Sequence, residues 1–163
     1  MNPIIIYLLC LFLNDTQTQE DSNLGGTYNF GSNSKSKPSG WLTIYPKNGL
    51  TFLFYLDINR GAPSFNMGQK YGQAYVQSHK GYWQYAESDS ISNTSCSLIF
   101  SFENGKAIVK TVSGKDNCGF GYGVNADGKY NLYSKTIPEY FVSQSGDTIY
   151  FSKTSPDMYN GNK

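Results

Sequence analysis

Residues 96–113, CSLIFSFENGKAIVKTVS, constrain the fold more than any other stretch of the chain. Asn104-Gly105 is a two-residue turn signal of type I′, a turn in which both central residues need φ > 0. A turn there pairs Glu103 with Lys106, then Phe102 with Ala107, Phe100 with Val109 and Leu98 with Thr111. Cys96, Leu98, Phe100 and Phe102 then share one face with Ala107 and Val109, while Ser97, Ser101 and Lys110 take the other. A hairpin with one apolar and one mostly polar face belongs in an antiparallel sheet closing over a core. Ile99 and Ile108 are the apolar exceptions on the outer face.

Two further hairpins follow the same logic. WLTIYP and LTFLFYLDI join through Asn48-Gly49, and GQAYVQS and YWQYAE join through Lys80-Gly81. KYNLYS restarts a strand after the NADG turn, and PEYFVS pairs with DTIYFS around Gln144 to Gly146. No segment sustains helical periodicity. An aromatic content of 16%, with 14 Tyr, 10 Phe and 17 Gly, suits short strands joined by tight turns. The expected fold is all-β: an antiparallel up-and-down meander closing into a small barrel of about eight strands with one disulfide. Residues 20–155 form that single domain and 156–163 a frayed tail. The longest connection without a strand signal is 59–70, NRGAPSFNMGQK, and loops of that length tend to be functional.

The apolar run MNPIIIYLLCLFL is short for a bilayer span and gives way to the polar NDTQTQEDSN. Residues 1–19 therefore read as a secretory signal peptide, cleaved between Asn14 and Glu20, although no Lys or Arg precedes the run. A membrane-anchored N-terminus is the alternative. Cleavage removes Cys10 and leaves Cys96 and Cys118, an even pair that reads as a disulfide in an exported domain. The expected location is secreted or periplasmic, with no membrane span after cleavage. The hairpin register sets Cys96 opposite Ser113, so SGKDN, residues 113–117, must loop out for Cys118 to return.

Charge and motif chemistry exclude several functions. The net charge is +1 and Arg60 is the sole arginine, a poor basis for binding nucleic acid. His79, the one histidine, sits in a turn, no nucleophile elbow is present, and Glu87, Glu103 and Glu139 show no catalytic spacing. The expectation is a non-enzymatic protein without catalytic residues, metal or cofactor. CGFGYGVNADGKY, residues 118–130, lacks the spacing of a dinucleotide or phosphate loop, and VNADGK lacks the ligand series of a calcium loop. Its alternating Gly119, Gly121 and Gly123 instead suggest an extended structural clasp whose bare backbone admits a close neighbour. Arg60 reads either as an ion-pair partner of Asp57 or as an interface anchor. Trp41, Tyr82, Trp83 and Tyr85 offer a sugar-stacking face, against a core-packing role for alternate residues. Asn93-Thr94-Ser95 is a formal glycosylation sequon.

The segments LFYLDINRGAPSFNMG, CSLIFSF and CGFGYGVNADGKY together resemble a family of small exported bacterial β proteins, across roughly residues 40 to 151. That resemblance implies an envelope or secreted location and a Cys96–Cys118 bridge. In architecture the chain is also similar to periplasmic lysozyme inhibitors, small disulfide-bearing barrels that present a loop to an enzyme cleft. By that likeness SGKDNCGFG is the contact loop, with Ser113 and Lys115 reaching catalytic carboxylates. The disulfide-clamped loop, through Ser113, Lys115 and Asp116, and the long 59–70 loop, through Arg60 and Phe65 as a second anchor, are themselves two candidate contact surfaces for a protein partner. The expected function is a binding protein, an inhibitor of a cell-wall-active enzyme. The alternative is a small-ligand or glycan-binding module using the barrel mouth or the aromatic face.

Overall fold

Strand β3 (Thr51–Asn59, TFLFYLDIN) is buried along nearly its whole length on both faces. An antiparallel strand normally keeps one face wet, so this pattern requires a cover on each side. The inner cover is a closed eight-stranded barrel in which each strand pairs with its sequence neighbour. In the computed structural model, which describes residues 24–31, 36–78, 80–89, 92–113 and 118–161 (backbone alone over 85–89 and 92–94), the other strands are β1 (Gly26–Gly31), β2 (Ser39–Asn48), β4 (Met67–Gln77), β5 (Lys80–Asp89), β6 (Ser92–Glu103), β7 (Lys106–Ser113) and β8 (Gly128–Ser134). Pairing of β1 with β8 closes the ring. Phe52, Phe54, Leu56 and Ile58 point inward and meet Leu98, Phe100, Val109 and Tyr130. Phe54 and Phe100 lie 4.7 Å apart and Phe52 and Phe100 cross edge to face at 5.6 Å. Eight strands enclose just enough room for side chains, and here side chains fill it. A ligand must therefore use the ends or the outer wall.

The outer cover comes from the C-terminal segment. β9 (Tyr140–Val142) and β10 (Thr148–Tyr150) form a separate two-stranded sheet, followed by the short helix α1 (Pro156–Gly161). Phe141 stacks on Tyr55 at 3.9 Å, and Phe151 stacks on Tyr45 at 5.3 Å. The Tyr71 hydroxyl donates to Thr154 O at 2.7 Å, and Gln144 Nε2 donates to Asp57 Oδ1 at 2.7 Å. Leu53, Tyr55 and Tyr71, outward on the barrel, thus enter a second core with Phe141 and Phe151. The tail expected to fray from Pro156 instead carries α1, which brings Tyr159 against this core. The strand pair expected around Gln144–Gly146 is present but lies outside the barrel.

The central hairpin forms as its sequence dictates. Asn104 and Gly105 have φ of 48° and 71°, and every expected pair from Glu103–Lys106 to Leu98–Thr111 is present. A bulge then inserts Val112, so Ser113 faces Ser97 rather than Cys96. The other two turns each differ from expectation. In the first, Asn48 pairs with Thr51 and the turn residues are Gly49 and Leu50. Asn48 drives the shift, since its Oδ1 accepts from Leu50 N and Thr51 Oγ1 at 3.0 and 2.9 Å. In the second, Gln77 pairs with Lys80, so the turn begins at Ser78, at φ 51°, rather than at Lys80-Gly81. Gly81 is a strand residue because the Phe52 ring occupies the space of a side chain there. β1 lacked any expectation, and the connection expected over 59–70 shortens to 60–66 because β4 starts at Met67.

The N-terminal segment read as a signal peptide, Cys10, His79, Lys115 and Asp116 lie outside the described residues. No described helix is long and apolar enough to cross a membrane.

Two measurements test this layering. Phe141→Ala removes the ring stacked on Tyr55 and is expected to lower unfolding free energy by about 3 kcal/mol or more in urea denaturation. Burial raises Tyr71 from 10 to about 12 and pushes Tyr55 and Tyr130 higher still. The folded state thus favours the neutral phenols over the unfolded state. That stability is fully present below pH 10 and lost as pH rises from 10 through about 12. Thermal midpoints measured between pH 9 and 12 should fall steeply from pH 10, and a flat profile would contradict the burial.

Candidate functional site

One end of the barrel gathers the unusual sequence features into a pair of cross-tied loops. The first leaves β3 at Asn59, whose Oδ1 accepts from Gly61 N at 2.6 Å. Gly61, at φ 78°, lies against the Lys37 backbone with no room for a Cβ, and Ala62 N donates to Ser36 O. Phe65 N then bonds Gly61 O at 2.8 Å and Arg60 N bonds Asn66 O at 2.9 Å, folding the loop back on itself. The closure holds Phe65 at φ 52°, a left-handed conformation uncommon for a bulky residue.

The second loop starts at Cys118, which is bridged to Cys96 on β6. Phe120 covers Gly68, and Gly121 N donates to Met67 O at 3.0 Å. Tyr122 O accepts from Asn66 Nδ2 at 2.6 Å and from Arg60 Nη1 at 3.4 Å. Gly123, at φ 70°, lies directly under the Arg60 guanidinium. Val124 N closes a turn on Gly121 O, Asp127 Oδ1 accepts from Thr111 N at 2.6 Å, and Tyr130 OH donates to Ala126 O. The glycine run is therefore a clasp, but a turning one rather than the extended segment its alternation suggested. Gly119 and Gly123 carry positive φ, which a strand does not allow.

The expected site residues divide accordingly. Arg60 and Phe65 come together at this end. Arg60 does not turn to Asp57, which accepts from Gln144; its guanidinium meets Tyr122 O and lies 6.0 Å from the Tyr122 ring. Phe65 is 50% exposed, and two residues absent from the expectation join it: Met67, and Tyr122 at 88% exposure. Tyr122 had a signal in its flanking glycines, but its place beside Arg60 and Asn66 depends on the closed fold. Ser113 ends β7, exposed, with its hydroxyl donating to Ser97 Oγ at 3.0 Å. The aromatic face expected from Trp41, Tyr82, Trp83 and Tyr85 does not form as one platform. Trp41 crosses Tyr133 at 5.2 Å, Trp83 turns in against Phe54 at 5.6 Å, and the Tyr85 side chain lies outside the described residues.

Chemically, this end presents aromatic and thioether surface around one guanidinium, and the backbone of Lys37 lies against the same loop at Gly61. Among the described residues no group of three His, Cys, Asp or Glu converges as metal ligands would. The clasp predicts its own weak point. Gly123→Ala places a methyl group into Arg60 at a positive φ, and is expected to cost about 1–3 kcal/mol in chemical denaturation. Gly49→Ala, where a Cβ meets nothing within 4 Å, is the control and should cost much less. No family model, curated protein or solved structure matches the chain.

Proposed function

We propose that the protein is an exported, non-enzymatic binding protein whose clasped loop end docks on an acidic protein surface. The observation that carries this reading is the exposure of Phe65, Met67 and Tyr122 around Arg60 on two loops fixed by backbone hydrogen bonds. Aromatic residues, Met and Arg are the types enriched at protein interfaces and their energetic centres. Loops already tied together lose little freedom on binding, so their contacts convert more fully into affinity. The left-handed Phe65 fits the same reading, since strained backbone clusters where surroundings hold a functional side chain in place.

Charge selects the partner. Lys37 and Arg60 give this end a positive character that draws in a carboxylate-lined surface. An enzyme that cleaves cell-wall glycan carries paired carboxylates in an open cleft, which is a partner of this chemistry. Inhibition follows if the loop end enters that cleft and sets Arg60 against the carboxylates. The segment 113–117, expected to make contact through Ser113, Lys115 and Asp116, runs directly into Cys118 and so adjoins the clasp. The disulfide suits an oxidising compartment, and with it a secreted or periplasmic location.

Inhibition of a muramidase on peptidoglycan, together with surface plasmon resonance against that enzyme, tests the reading. Tyr122 uses its carbonyl in the clasp, so Tyr122→Ala and Phe65→Ala should keep the wild-type unfolding midpoint. Each should weaken binding by about tenfold or more, and added salt should slow association. A double variant that binds and inhibits as well as wild type would sink the proposal, as would a wild-type protein that does not bind the enzyme.

A further inference from the structure

The barrel wall is not sealed equally all round. β4 pairs with β3 at nine positions and β5 with β6 at ten, yet among the described residues β4 and β5 pair only at Tyr75–Tyr82, Val76–Gly81 and Gln77–Lys80. Where the two strands part, a groove of about 460 Å³ opens on the wall. That volume lies in the range of ordinary small-ligand sites.

We infer that this groove is a binding site for a neutral oligosaccharide. Tyr75 and Tyr82 form the last cross-strand pair before the opening, so their side chains stand next to each other. They alternate with the buried Ala74 and Gly81, which turns both rings outward, and Tyr75 is 64% exposed. Two positions further along each strand, and on the same face, stand Gln73 and Gln84, both lining the groove. The bulge in β7 adds a third wall. Its extra residue, Val112, is 62% exposed and lines the groove opposite the tyrosines. Bulges commonly re-aim a side chain in this way.

The chemistry of the lining names the ligand class. Among the described lining residues no side chain is charged, and the Lys47 ammonium at the rim is engaged by Gln73, so the lining itself offers a phosphate, carboxylate or ammonium group no counter-charge. A pyranose ring offers an apolar C–H face to an aromatic ring and a rim of hydroxyls that both donate and accept. The tyrosine pair matches the face, and the two amides match the rim, since an amide group both donates and accepts. Lys47 Nζ donates to Gln73 Oε1 at 3.1 Å, which fixes that amide and leaves its NH2 to donate. The tyrosine pair stands apart from the exposed clasp residues, since Met67 and Tyr75 lie eight residues apart on β4, about 26 Å at strand rise, while the groove runs from that pair toward Ser97, next to the bridged Cys96.

The test is titration calorimetry of the exported protein with cellotetraose and with chitotetraose, alongside a heparin tetrasaccharide and an uncharged extended peptide. Trp83 lines the groove, so its fluorescence in a Trp41→Phe background gives a second readout. Binding of a neutral tetrasaccharide, weakened about tenfold or more by Tyr75→Ala and by Tyr82→Ala, is the expected result. Both variants should retain the wild-type unfolding midpoint. Phe65→Ala and Tyr122→Ala, on clasp side chains that do not line the groove, should leave saccharide binding unchanged, which separates this site from the protein-docking reading. The inference is overturned if neither neutral tetrasaccharide binds, if the heparin fragment or the peptide binds instead, or if the tyrosine variants bind as wild type does.

Discussion

The burial of β3 on both faces is the constraint on which the rest of the molecule depends. Its inward residues, Phe52, Phe54, Leu56 and Ile58, need a closed barrel around them, and its outward Leu53 and Tyr55 need a lid. Either layer alone would leave large apolar side chains in water, each worth roughly 1.5–3 kcal/mol of lost burial. The C-terminal segment therefore belongs to the core. It inserts Phe141 and Phe151 into the outer layer, and its polar atoms find partners on β3 and β4, through Asp57, Gln69 and Tyr71.

A barrel filled in this way has consequences for function. Aromatic rings occupy the interior, so it cannot act as a ligand chamber of the kind that wider barrels enclose. Any recognition would have to use the surface, where side chains are held by something other than a cavity wall. At the clasped end that task falls to backbone: Tyr122 O, Met67 O and Gly61 O accept the bonds that fix Phe65 and Tyr122 in place. Glycines at 61, 121 and 123 make the approach possible, because a Cβ at each would strike Lys37, Met67 or Arg60. The same feature that looks like a ligand loop in the sequence is thus the means by which two loops reach each other.

How much of this was legible depended on the range of the interactions involved. The Asn104-Gly105 hairpin was readable because turn, charge pair and alternation are all local. The disulfide was readable from the even pair left once Cys10 is set aside with the apolar N-terminal run. β1, GTYNFG, was invisible because its second partner, β8, lies about a hundred residues away and six residues carry too little pattern. The turn at Gly49-Leu50 was misplaced by one residue because Asn48 acts through its side chain, where the dipeptide rule reads only backbone preference. The single-residue bulge at Val112 leaves no trace in alternation, yet it moves Ser113 from Cys96 to Ser97. For the site, Arg60 stood out as the sole arginine, with Phe65 named beside it as an anchor. Their partners Asn66 and Tyr122 became evident only once the loops met, 56 residues apart in sequence.

β4 links these observations into one arrangement. Met67 at its start accepts a bond from the clasp, Tyr71 at its middle is sealed under the C-terminal lid, and Tyr75 near its end opens the wall groove. Nine consecutive pairs to β3 hold the strand between those points. Coupling between distant sites needs an element with two arrangements that both sites bias, and a strand pinned along one edge and buried at its centre has only a single arrangement. The two surfaces are therefore best understood as independent contacts on a single rigid frame. On such a frame the two proposed contacts, a neutral oligosaccharide in the groove and a protein at the clasp, would add through proximity rather than through any change of shape.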